Sequence, residues 1–166
     1  MIPVEFGLSS TIRTGLLVDT NILVLFAVGA VNRDRIETFK RTRQYTKSDY
    51  DLLLRALDRF KPLYTVAHVL AEVSNLVDLP GTERLKARRV LRETISVLNE
   101  VEISSKLAAE DKLYQDLGLA DAAISAAARA HKCGVLTDDF DLYLSLSRDH
   151  VQVLNFTHLR AQAWGI

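Results

Sequence analysis

Only one of the 166 residues, Cys133, is a cysteine, so no internal disulfide can form and a reducing compartment is expected. Neither sign of charge is in excess, since 21 Lys and Arg balance 21 Asp and Glu. The field of the whole molecule therefore makes no case for nucleic acid or membrane, although local clusters still can. No apolar run is long enough to cross a bilayer: the longest, about Leu16 to Val28, carries Asp19. Met1–Phe6 has no basic stretch leading into an apolar one, which predicts no signal peptide and a cytoplasmic location. With three prolines, seven glycines and no low-complexity linker or internal repeat, one domain over 1–166 is expected.

The chain is organised around Leu16-Leu17-Val18-Asp19-Thr20-Asn21. A short apolar run opened by Gly15 reads as a buried parallel strand, and the apolar continuation from Ile22 reads as a helix that starts at once. Asp19 then stands at the carboxyl end of a strand, where open α/β sheets bind ligands. Residues 1–14 read as a loose lead-in. From 31 to 61 the texture is polar and helical, with Thr46 or Ser48 starting a helix ahead of Asp49 and Asp51. Further strands are expected at 62–66, 101–103, 135–137 and 151–154. Helices are expected at 67–78, 82–98 (burying Ala87, Leu91, Ile95 and Leu98), 105–117, 119–133 (closed by Gly134), 142–146 and from Thr157. Alternation of this kind predicts an α/β fold: a parallel sheet of about five strands with helices on both faces.

Four acids then share a description. Asp19 ends the first strand, Glu72 lies in the helix after the second, Asp121 opens the alanine-rich helix after Gly118, and Asp138-Asp139 end the fourth strand. Taken singly, Asp121 also reads as a first-turn acid and Asp139 as an N-cap. Glu72 interrupts an apolar helix face and has no Lys or Arg within a turn, so a partner is required if it is buried. Carboxylates sharing a cleft repel, and a hard divalent ion reverses that repulsion. Nothing offers a different chemistry. Cys133 has no motif partner, and His68, His131, His150 and His158 are too scattered for zinc.

The ordered set Leu16–Leu23, Ala71–Leu76, Leu119–Ile124 and Leu136–Leu142 resembles the PIN-domain nucleases, in particular the VapC-like toxin ribonucleases. The resemblance implies a PIN-like α/β/α fold and an endoribonuclease whose Asp19, Glu72, Asp121 and Asp139 hold magnesium or manganese. It places Thr20, Asn21, Asn75, Thr137 and Asp138 in support, and a Thr-x-Asp pattern selects Asp139 over Asp138. It also implies an RNA substrate, a small antitoxin partner and a homodimer. Two departures stand out: 31–61 is longer than the helical hairpin of the smaller toxin members, and net charge is not basic. Yet 31–61 holds nine basic residues against five acids. Arg41, Arg43 and Lys47 there, with Arg88 and Arg92 of helix 82–98, are candidate phosphate contacts, and Tyr45 and Tyr50 candidates for base stacking. The alternative for these charges is a solvated helical face.

Other functions compete with this one. A PIN-fold RNA-binding or assembly module with little turnover would be free to lose its acids, and all four are present. A non-toxin RNA-processing nuclease would keep them. A strand-end aspartate phosphatase would want Asp-x-Asp where Asn21 stands, and a receiver domain would want an acidic pair after the first strand and a later lysine.

Overall fold

Leu16, Leu17 and Val18 are completely buried, as a strand covered on both faces and paired on both edges must be. They form β1 (Leu16–Val18), the middle of a five-stranded sheet with β2 (Leu63–Thr65), β3 (Asn99–Glu100), β4 (Gly134–Thr137) and β5 (Val153–Asn155). The computed structural model describes residue 12 and residues 14–165; most of the expected lead-in lies outside them. Strand order is β3-β2-β1-β4-β5 and every pair is parallel.

Between the strands run α1 (Thr20–Val31), α2 (Lys47–Arg59), α3 (Ala67–Leu76), α4 (Glu83–Val97), α5 (Ser105–Ala109), α6 (Tyr114–Leu117), α7 (Leu119–His131), α8 (Phe140–Arg148) and α9 (Phe156–Trp164). The chain first steps from β1 towards β3, then returns past β1 to β4 and β5. Right-handed crossovers put the helices of those two journeys on opposite faces of the sheet. The direction reverses between β1 and β4, which opens a crevice at their carboxyl ends.

Between α1 and α2 lie a 3-10 turn at Arg33–Arg35 and a run of turns to residue 45. Thr46, not Ser48, starts α2. Its hydroxyl accepts from the Asp49 N–H while the Asp49 carboxylate accepts from the Thr46 N–H, a complete capping box. Tyr45 and Tyr50 are only 2% and 5% exposed, which overturns the expectation that they stack bases. Tyr50 lies so close over Gly29 that a Cβ there would meet its ring at 2.3 Å. Gly29 is what lets α1 and α2 approach.

Several expected boundaries shift. The third strand is Asn99–Glu100 rather than 101–103, because its partner β2 ends at Thr65; Val101 N–H makes a last bond to Thr65 O. Helix 105–117 is broken. The buried Asp111 carboxylate accepts from the Leu113 N–H and pairs with Arg129, and so competes with the helical ladder. Gly134 is not the cap of α7; Lys132 closes that helix at φ 52°, and Gly134 is already in β4 opposite Leu16. Along α4, Ala87 is buried and Val90, Leu91, Thr94 and Leu98 are half-buried, but Ile95 faces out, 44% exposed. The fifth strand sits later than expected, at Val153–Asn155, and the helix before it extends beyond 142–146 at both ends, to Phe140–Arg148.

Candidate functional site

Asp19 follows β1 directly and caps α1. One of its oxygens accepts from the Thr20 N–H and the other from the Thr137 hydroxyl, both at 2.6 Å. Thr137 is the last residue of β4, so neighbouring strands place hydroxyl and carboxylate together. The same hydroxyl accepts from the Asp139 N–H at 2.9 Å. Asp139 caps α8 by accepting from the Leu142 N–H at 2.9 Å. Its expected capping role and its place in the cleft therefore coexist.

Thr20 reaches the other way, donating from Oγ1 to Glu72 Oε2 at 2.9 Å. Glu72 is exposed rather than buried, which corrects the sequence expectation: it stands on the rim of the cleft, where Thr20 donates to it. Asp121 is half-buried in the first turn of α7, which Gly118 introduces at φ 97°. Asp19, Thr20, Asn21, Glu72, Asp121 and Asp139 line one cavity of about 220 Å³, with Leu76 of α3 and the Leu117–Ala120 turn as its walls. Thr137 supports it from beneath. Asn75 is exposed and does not line it.

Electrostatics follow from this crowding. Burial, reinforced by Asp138 and Asp139, pushes the Asp19 carboxyl up to about 6 even though the Thr137 and Thr20 hydrogen bonds oppose the rise. Burial comes first for Asp121 as well, followed by the charges of Asp19, Asp139 and Glu72, and together they push it up to about 7. Such a group of acids is poised to lose its protons to a cation. Oxygen-only donors suit magnesium or manganese. Among the described residues no three acidic, His or Cys side chains close into a finished metal cage. The donors are all oxygens contributed by four separate elements, a set of the kind taken by an ion that keeps several of its waters.

Asp138 turns away from the cavity. It accepts from the Tyr45 hydroxyl and from Gln44 Nε2, the latter at 3.2 Å. Sequence reading missed this link, and no local signal could reveal it, because the partners lie 93 and 94 residues away. Lys40, just before Gln44, pairs with Asp78 beyond the end of α3 at 2.9 Å. The stretch 40–45 is thus tied both to the segment after α3 and to the segment after β4. Arg41 and Arg43 on it are exposed and make no ion pair among the described residues, and the same holds for Arg88 and Arg92 on α4. Lys47 is engaged with Asp34. His68 contacts Ser105 Oγ at 2.9 Å and is not among the cavity-lining residues.

Comparison with known proteins agrees with this architecture. The sequence pattern of the PIN domain matches residues 16–144. Among solved structures, a chain from FitAB bound to an IR36 DNA fragment superposes with a TM-score of 0.50 at 17% identity, covering 85% of this chain and 94% of that one. At that identity the likeness supports the fold alone. No curated protein gives a match. No helix among the described residues is long and apolar enough to cross a membrane.

Proposed function

The chain belongs to the PIN-domain family, and from that premise we propose that it is a magnesium- or manganese-dependent endoribonuclease acting in the cytoplasm as the toxin of a type II toxin–antitoxin pair. One observation carries the reading: acids from four separate elements face a single cavity, where their crowding lifts Asp19 and Asp121 far above the ordinary carboxylate range. Proteins rarely bury like charges together without a use for them.

Asp19, Glu72, Asp121 and Asp139 would hold the ion. When bound, it would supply Lewis-acid stabilisation of charge on a scissile phosphate and ease the ionisation of a water. The protein's own part is positioning. Thr137 and the Thr20 N–H fix both oxygens of Asp19, so that carboxylate cannot rotate. The capping bond to Leu142 orients Asp139, and Thr20 orients Glu72. Arg41 and Arg43 supply exposed positive charge on the stretch that Gln44 and Tyr45 tie to Asp138, and would engage the RNA backbone.

Purified protein should cut single-stranded RNA with magnesium or manganese and stop on addition of EDTA. Asp19→Asn should abolish cleavage while keeping a folded circular dichroism spectrum. Full activity in that variant would remove the proposed site. Inactive but RNA-binding wild type would instead favour a binding or assembly module. A small antitoxin and a homodimer belong to the same proposal. Expression of the chain alone should slow bacterial growth, and Asp19→Asn should relieve it. Equal growth at matched protein levels would leave a non-toxin RNA-processing nuclease.

A further inference from the structure

Asp138 and Asp139 are adjacent, yet their side chains serve different parts of the molecule. Asp139 lines the acidic cavity, while Asp138 is held by Tyr45 and Gln44 from the turn-rich stretch before α2. Two neighbouring side chains that diverge fix the orientation of the peptide between them. The anchor at Tyr45 is firm. Its ring packs on Phe156 at 6.0 Å between centroids, and the Arg160 guanidinium lies 5.2 Å above it. Arg160 also pairs with Asp49 at 2.9 Å and donates to Gln44 O at 3.2 Å, so α9 clamps both Gln44 and the start of α2. Burial, followed by the nearby Asp138 charge, raises the Tyr45 phenol above its ordinary range, so it remains a proton donor.

We infer that Tyr45 is a positioning residue for the acidic centre: by holding Asp138 it sets the loop that aims Asp139 into the cavity. The inference rests on the metal-dependent reading above and goes beyond it, because Tyr45 itself lines no part of the cavity. Removing a direct partner of a metal ligand typically changes metal affinity ten- to a hundredfold; Tyr45 acts one step further out, through Asp138, so the lower end applies.

Manganese affinity measured by calorimetry on the RNA-free protein, well below the melting temperature, tests this apart from turnover. Tyr45→Phe keeps the buried ring and deletes only the hydroxyl. It should weaken manganese binding about tenfold, lower kcat, and leave KM for RNA unchanged. Asp138→Ala should do the same. Asp138→Asn keeps an acceptor for Tyr45 and Gln44, so it should retain clearly more manganese affinity than Asp138→Ala. If Tyr45→Phe binds manganese as wild type does, the inference is overturned. If Asp138→Asn is as weak as Asp138→Ala, the charge of Asp138 rather than its bond matters, and the inference also falls. A wild-type protein that binds no manganese would overturn the metal-dependent reading itself, and this inference with it. Manganese binding by wild type that is unaltered in Tyr45→Phe would overturn the inference alone.

Discussion

The Thr137 hydroxyl lies 2.6 Å from Asp19 Oδ2, joining the last residue of one central strand to the first residue after its neighbour. Asp19 is 4% exposed, so water cannot readily replace that donor. The bond also opposes the rise in the Asp19 pKa that burial causes.

Thr137→Val should therefore raise the Asp19 pKa further above about 6, because the charged form loses its donor. It should also destabilise the protein by about 1–3 kcal/mol through a buried unsatisfied oxygen. The acid limb of the pH–activity profile should move to higher pH. Carboxyl titration by NMR and urea unfolding would measure both effects, and an unmoved Asp19 titration would show that the bond contributes little.

Through Asp19 and Asp121, metal-free protein should lose stability as pH rises from about 4 to about 7. Asp19 and Asp121 carry folded-state values of about 6 and about 7, against 3.8 for an ordinary Asp. Across that window the folded state binds more protons than the unfolded chain, so each step up in pH favours unfolding. Asp19 alone accounts for about 3 kcal/mol across the range. Asp121→Asn should match wild type near pH 4 and exceed it at pH 7.5, and saturating manganese should remove the decline. Urea midpoints across pH decide the matter. A stability that rises over the same window would contradict the crowded-acid picture.

Arg41→Ala with Arg43→Ala should weaken RNA binding and flatten its dependence on salt by up to about 1.4 logarithmic units per decade, about 0.7 for each lost phosphate contact. Lys47→Ala should do less, because Lys47 is already engaged with Asp34. The single-turnover rate at saturating RNA should hardly change, since neither arginine lines the cavity. Filter binding at several salt concentrations would show whether these charges are merely solvated.

What was legible in the sequence followed from strong local rules. A buried strand with no polar residue until Asp19, and the Thr46 and Asp49 capping box, read directly from side-chain type and spacing. The placement of all four acids at one crevice followed from strand order, which alternation alone makes plausible. The errors arose where a distant partner decided. Asn99–Glu100 pairs because β2 is where it is, although Val101 and Ile103 look more strand-like. Asp111 breaks a helix because Arg129 waits 18 residues on. Tyr45 looked like a surface aromatic among charges, and only the folded chain shows it buried against Phe156 with its hydroxyl on Asp138. Glu72 erred in the opposite direction, because the apolar neighbours that seemed to bury it belong to the next face of α3.

The place of β1 between β2 and β4 also governs when the site can exist during synthesis. Leu16 pairs with Leu63 on one side and with Gly134 on the other, so the earliest strand waits for one of the last. A nascent chain that stops short of β4 has Asp19 without the Thr137 hydroxyl and has no Asp139 at all. Each nascent chain thus lacks a complete acidic cavity for most of its synthesis, and a product truncated anywhere before residue 137 never forms one.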